Sequence, residues 1–123
     1  MLEYEELRLK LLEYEKPLED LKNALGLSQM RDEIKELEEG AAKDGFWDDL
    51  ENSQKILQRT SMLKNKVSAY ESLHSLFDDT LVMIELADEE GDESLIDECT
   101  ASLDEFKSKL DTMTLSTLLT GEY

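Results

Sequence analysis

One cysteine, one proline and one histidine occur in 123 residues, and each scarcity excludes something. Cys99 cannot form an intramolecular disulfide, so cysteine usage fits a reducing compartment. A lone His and a lone Cys cannot build a His/Cys metal site. The five glycines are all isolated, which leaves no Gly-rich phosphate loop. No apolar run approaches ~18 residues, so no membrane-spanning helix is expected. Met1 is followed by Leu2 and Glu3, without the basic and apolar regions of a secretory signal, and the expected location is cytoplasmic. Positive charge is also scarce: 13 Lys and Arg stand against 31 Asp and Glu, giving a net charge of −18 and a pI of about 4.2. Phosphate backbones and anionic lipid repel such a surface, so neither independent nucleic-acid binding nor membrane binding is expected. Basic proteins are the favoured partners.

What the chain does have is helical periodicity. From Asp48 to about Asp88 there is no Gly or Pro, and Ile56, Thr60, Leu63, Val67, Tyr70, His74, Phe77, Leu81 and Ile84 recur at alternating spacings of four and three. Such a seam, sustained over roughly four heptads, predicts one long helix packed along helical neighbours. At ~1.5 Å per residue it would be roughly 60 Å long, so other segments must cover it. Tyr4, Leu7, Leu11, Tyr14, Leu18, Leu21 and Leu25 predict a first helix over about 2–25, kinked or restarted near Pro17. Gly26 would stop it in the left-handed conformation. Ser28 is placed to cap a second helix over 28–40, with Leu27, Met30, Ile34, Leu37 and Ala41 as its apolar stripe. Asp48 and Glu51 have the spacing of a capping box for the long helix, expected over 48–89. Gly91 marks a turn and Asp92 a cap for a last helix over 92–119, whose stripe is Ile96, Cys99, Leu103, Phe106, Leu110 and Met113. The expected fold is therefore all-α: a single domain forming an elongated antiparallel helical bundle or coiled coil built on the long helix.

Little of this is suited to catalysis. His74 and Cys99 both sit at seam positions, where a packed role is the expectation. Carboxylates are abundant but read as a solvated face. The acidic turn Asp88, Glu89, Glu90, Gly91, Asp92 and Glu93 lacks the ordered ligand spacing of a calcium loop. No enzyme activity, cofactor or metal is expected. Two features suggest contact with a macromolecule instead. One is this turn, within the acidic half that begins at Ser75; the other is the pair Phe46 and Trp47, adjacent aromatics in a connection where a folded-back plug competes with an exposed patch.

Four stretches carry a resemblance. Gly45-Phe46-Trp47-Asp48-Asp49, Glu51-Asn52-Ser53-Gln54-Lys55, the turn from Leu86 to Glu93 and the terminal Leu119-Thr120-Gly121-Glu122-Tyr123 resemble the N-terminal helical domain of bacterial peptide chain release factor 2. The resemblance implies a part in translation termination, directed in the intact factor at UGA and UAA. It implies docking on the ribosomal stalk base, a GTPase-associated region that includes a basic protein of the large subunit. The Ser-Pro-Phe motif that reads codons and the Gly-Gly-Gln loop that promotes hydrolysis in that family do not occur here. The catalytic and decoding domains are thus expected to be absent, leaving a truncated docking arm without intrinsic activity. A second reading is a free-standing acidic coiled-coil adaptor or chaperone-like protein. Apolar positions such as Leu2, Leu9, Leu12, Leu115, Leu118 and Leu119 would be left uncovered in isolation and would invite self-association.

Overall fold

The computed structural model describes residues 1–120. Its regular elements are helices: α1 (Leu2–Leu12), α2 (Glu15–Leu25), α3 (Leu27–Ala41), α4 (Leu50–Glu90) and α5 (Ile96–Thr120), with short 3-10 turns at Phe46–Asp48 and Glu93–Leu95. No strand occurs among the described residues, and the fold is the all-α helical bundle that the periodicity implies. The Gly121-Glu122-Tyr123 end of the fourth resembling stretch lies outside the described residues.

Pro17 explains the first break. Its ring has no N–H to offer the carbonyl of Glu13, and the chain turns at Glu13 and Tyr14 before α2 begins, placing Pro17 in α2's first turn. Gly26 then adopts φ 68° and α3 starts at the next residue. No side chain caps α3: Ser28 lies inside its first turn, contrary to the expected N-cap, because the left-handed glycine has already redirected the chain. At the start of α4 the cap is Asp49 rather than Asp48. Asp49 Oδ1 accepts the Asn52 N–H at 3.1 Å, while the Asp48 N–H is committed to the carbonyl of Gly45 in the 3-10 turn.

Two compact units divide the chain: residues 1–25 with the segment from Glu71 onward, and residues 26–70. In the first, α1 and α2 pack on α5, and α5 pairs antiparallel with the second part of α4. Phe106 is the centre of this core. It is fully buried and takes edge contacts from Phe77 at 5.5 Å and Tyr14 at 5.9 Å. Tyr4, Leu11, Ile84 and Cys99 are also fully or almost fully enclosed, each large apolar side chain contributing about 1.5–3 kcal/mol of transfer free energy.

The buried face of α4 within this unit is Leu73, Phe77, Thr80, Ile84 and Ala87. His74 therefore does not lie in the seam. It is exposed, with Nδ1 3.2 Å from Asp78 Oδ2, and Leu73 fills the inward position; Leu81 is likewise only half-buried beside enclosed Thr80. The physical reason is that Thr80 meets the half-buried Ser102 across the α4–α5 contact at 2.5 Å, so the enclosed Thr80 hydroxyl is paired.

In the second unit, α3 and the first part of α4 bury Leu27, Met30, Ser53, Thr60, Leu63, Val67 and Tyr70. Two ion pairs join the helices: Arg59 to Glu33 as a bidentate fork at 2.7 and 3.0 Å, and Lys64 to Glu38 at 2.7 Å. The charge is divided unequally. Residues 26–70 hold 9 acidic and 7 basic side chains, a net of −2, so −16 falls on the other unit.

Candidate functional site

The acidic turn is a helix stop before it is anything else. Gly91 takes φ 64°, its N–H donates to the Asp88 carbonyl at 3.0 Å, and the Asp92 N–H donates to the Ala87 carbonyl at 3.1 Å. That pair of bonds is a Schellman motif, closing α4 on its own last carbonyls. Asp92 Oδ1 then accepts the Ser94 hydroxyl at 2.6 Å and the Ser94 N–H at 2.9 Å, which hold its carboxyl below the usual carboxylate range. The Asp92 carbonyl accepts the hydroxyl of Tyr4, a phenol that burial pushes up from its ordinary value. Asp88 Oδ1 accepts the Met1 α-amino group at 2.5 Å, and that bond raises the amine's proton affinity.

The five sequence-selected carboxylates thus do two different things. The Asp88 carboxylate ties α1 to the turn between α4 and α5, and the Asp92 carboxylate caps that turn, while Tyr4 of α1 reaches the Asp92 carbonyl. Glu89, Glu90 and Glu93 are exposed and give the turn its outward negative charge.

Phe46 and Trp47 lie in the other unit. Their rings meet edge to face at 5.1 Å, with Phe46 half-buried and Trp47 62% exposed. The Phe46 carbonyl accepts the buried Ser53 hydroxyl at 2.5 Å, anchoring the aromatic turn onto α4. Neither aromatic belongs to the same unit as the acidic turn.

Sequence reasoning missed a feature of the two-helix unit. An open groove of about 560 Å3 runs between the end of α3 and the first part of α4, with Ala41, Ala42 and Leu57 among its lining. Leu57 is 41% exposed and Leu50, two turns earlier on the same face of α4, is 59% exposed. The available signal was this second apolar pair, seven residues apart and off the heptad seam.

Cys99 is fully buried, and that burial pushes its thiol up, while His74 is exposed on α4. Among the described residues no group of three or more His, Cys, Asp or Glu side chains is arranged to hold a metal ion, and no helix is long and apolar enough to cross a membrane.

Fold and surface together define a helical, strongly acidic module. Residues 30–123 match the PCRF domain family, and the chain belongs to it. Its curated relatives include peptide chain release factor 2 of Acidothermus cellulolyticus, 37% identical over 106 residues covering 86% of this chain and 29% of that protein. The release factor 2 of Streptomyces avermitilis is 40% identical over the same shares. That of Clostridium perfringens is 31% identical over the whole of this chain and 34% of its own length. The likeness to release factor 2 seen in the four sequence stretches therefore extends along the chain, which spans about a third or less of these relatives. No solved structure matches.

Proposed function

We propose that this chain is the ribosome-docking helical domain of a translation termination factor of the release factor 2 type, acting in the cytoplasm and catalysing nothing itself. The observation that carries this reading is the PCRF match over residues 30–123, together with likeness to release factor 2 over the full chain. Peptide release and the reading of UGA and UAA belong, on this reading, to the remaining two-thirds of the longer protein. The domain meets the stalk base of the large subunit. Its net charge of −18 supports a basic protein there as the partner, since RNA would repel most of the surface. The candidate contacts are Asp88, Glu89, Glu90, Asp92 and Glu93 at one site and Phe46 and Trp47 at the other.

Co-sedimentation of the chain with purified bacterial large ribosomal subunits tests this. Weak binding that falls as salt rises is expected, because the contacts are few and charged. Tight, salt-insensitive binding, or none even at low salt, overturns it. Self-association through Leu2, Leu9, Leu115, Leu118 and Leu119, all exposed, is a further property of the isolated chain on this reading, and sedimentation equilibrium measures it.

A further inference from the structure

We propose that the groove between α3 and α4 is the domain's protein-docking surface, and that its occupant is a basic amphipathic helix of a partner protein. This deepens the ribosomal reading above and rests on it for the identity of the complex, though not for the chemistry of the groove. The groove has an apolar floor in Ala41, Ala42 and Leu57, with Leu50 two turns along the same face of α4. Two apolar positions spaced i, i+7 match the stripe that a docked helix presents in helix-in-groove recognition. Trp47, largely exposed just before α4, is the kind of residue that anchors such contacts.

Charge selects the occupant. Exposed Asp48 and Asp49 precede Leu50, Glu51 beyond it is paired with Lys55 at 3.6 Å, and α3 ends at Ala41, where its dipole turns negative toward the groove. Lys64, in the lining, is already bonded to Glu38 at 2.7 Å. A ligand with leucines on one face and lysines beside them satisfies both the floor and the rim. A second copy of this chain, at −18 overall, offers no such row of lysines, and the test below carries it as an outcome.

The single tryptophan makes the test direct. A synthetic amphipathic Leu/Lys helix of about fifteen residues is titrated into the intact chain and followed by Trp47 emission, beside a scrambled peptide of equal composition. The expected result is a saturable blue shift, affinity at least about tenfold tighter than for the scrambled peptide, and a loss of about tenfold in Leu57→Glu and again in Leu50→Glu. Both leucines are surface residues, and circular dichroism confirms that the variants fold. Equal binding of the two peptides, an unchanged affinity in Leu57→Glu, or a wild-type dimer that Leu57→Glu dissociates would each overturn the proposal. Pelleting with large ribosomal subunits separates it from the reading beneath it. If wild type and Leu57→Glu pellet alike, the ribosomal reading stands and the groove proposal falls. If the helical peptide binds but nothing pellets, the groove proposal stands and the ribosomal reading falls.

Discussion

Phe106→Ala should cripple one unit and spare the other. The ring is fully buried on α5 and is the meeting point of two edge contacts, 5.5 Å to Phe77 on α4 and 5.9 Å to Tyr14 between α1 and α2. Truncation to Ala removes the transfer energy of the ring and leaves a cavity among residues held by three helices, at a cost of about 3–5 kcal/mol. Native domains have only about 5–15 kcal/mol to lose, so a large share of the stability goes with it. Phe106→Leu retains most of the apolar volume and loses mainly the two aromatic contacts, about 0.5–1.5 kcal/mol each. Urea unfolding followed by circular dichroism gives these values. Labelling of Cys99, buried in the same unit, reports that unit alone, and Trp47 emission reports the two-helix unit. The expected pattern is earlier exposure of Cys99 with an unchanged native Trp47 spectrum. A double-mutant cycle with Phe77→Leu should return a coupling of about 0.5–1.5 kcal/mol. A cost for Phe106→Ala below about 1 kcal/mol, or no coupling to Phe77, would refute the claim that this ring organises the core.

Three other perturbations follow from single contacts. Thr80→Val takes the partner from the half-buried Ser102 hydroxyl and should cost about 1 kcal/mol, whereas Thr80→Val with Ser102→Ala should be close to neutral; urea melts distinguish them. Gly91→Ala forces a side chain into φ 64°, and since no atom beyond its two chain neighbours lies within 4 Å of the added methyl, the loss should be conformational only, about 1–2 kcal/mol by thermal unfolding. Asp92 ionises more readily folded than unfolded, so its contribution is present above the ordinary carboxylate range and is lost as pH falls through its folded value; Asp92→Asn should flatten that acid-side decline in a pH series of melts.

The helices were legible because their apolar spacing is the direct imprint of the core: Leu7 to Leu11 and Leu103 to Phe106 to Leu110 are all buried where the period puts them. The register of α4 beyond Tyr70 was not read correctly, although a clue was present. Tyr70, Phe77 and Ile84 are compatible with either Leu73, Thr80 and Ala87 or His74, Leu81 and Asp88 as the alternating set. Only the first set carries no titratable group. A hydroxyl such as Thr80 reads as weakly apolar in a pattern, yet it wins an inward place once Ser102 lies opposite. The caps failed for a related reason. Ser28 and Asp48 have suitable chemistry, but left-handed Gly26 sets the cap two residues before Ser28 and the 3-10 turn at Phe46–Asp48 sets it one residue after Asp48, and single-sequence spacing does not see φ. The groove escaped notice because heptad reading follows one stripe per helix, and Leu50 and Leu57 belong to a second.

The split of charge between the units assigns the two contact sites different kinetic roles. Glu89, Glu90 and Glu93 are exposed on the unit that carries −16, and exposed charge acts on approach, over distances of about a Debye length of 8–10 Å at ordinary salt. Leu57 and Leu50 act only after water has left the groove, which is the regime that sets how long a complex lasts. Replacing the three glutamates by glutamine should therefore lower the association rate for a basic partner and flatten its salt dependence, with the dissociation rate nearly constant. Leu57→Glu should do the converse, raising the dissociation rate while the salt slope of association stays. Stopped-flow Trp47 emission with the Leu/Lys peptide measures both rates in one experiment. Should the glutamate replacements instead change dissociation more than Leu57→Glu does, the turn and not the groove would be the seat of lasting contact, and the division of labour drawn from the charge map would be wrong.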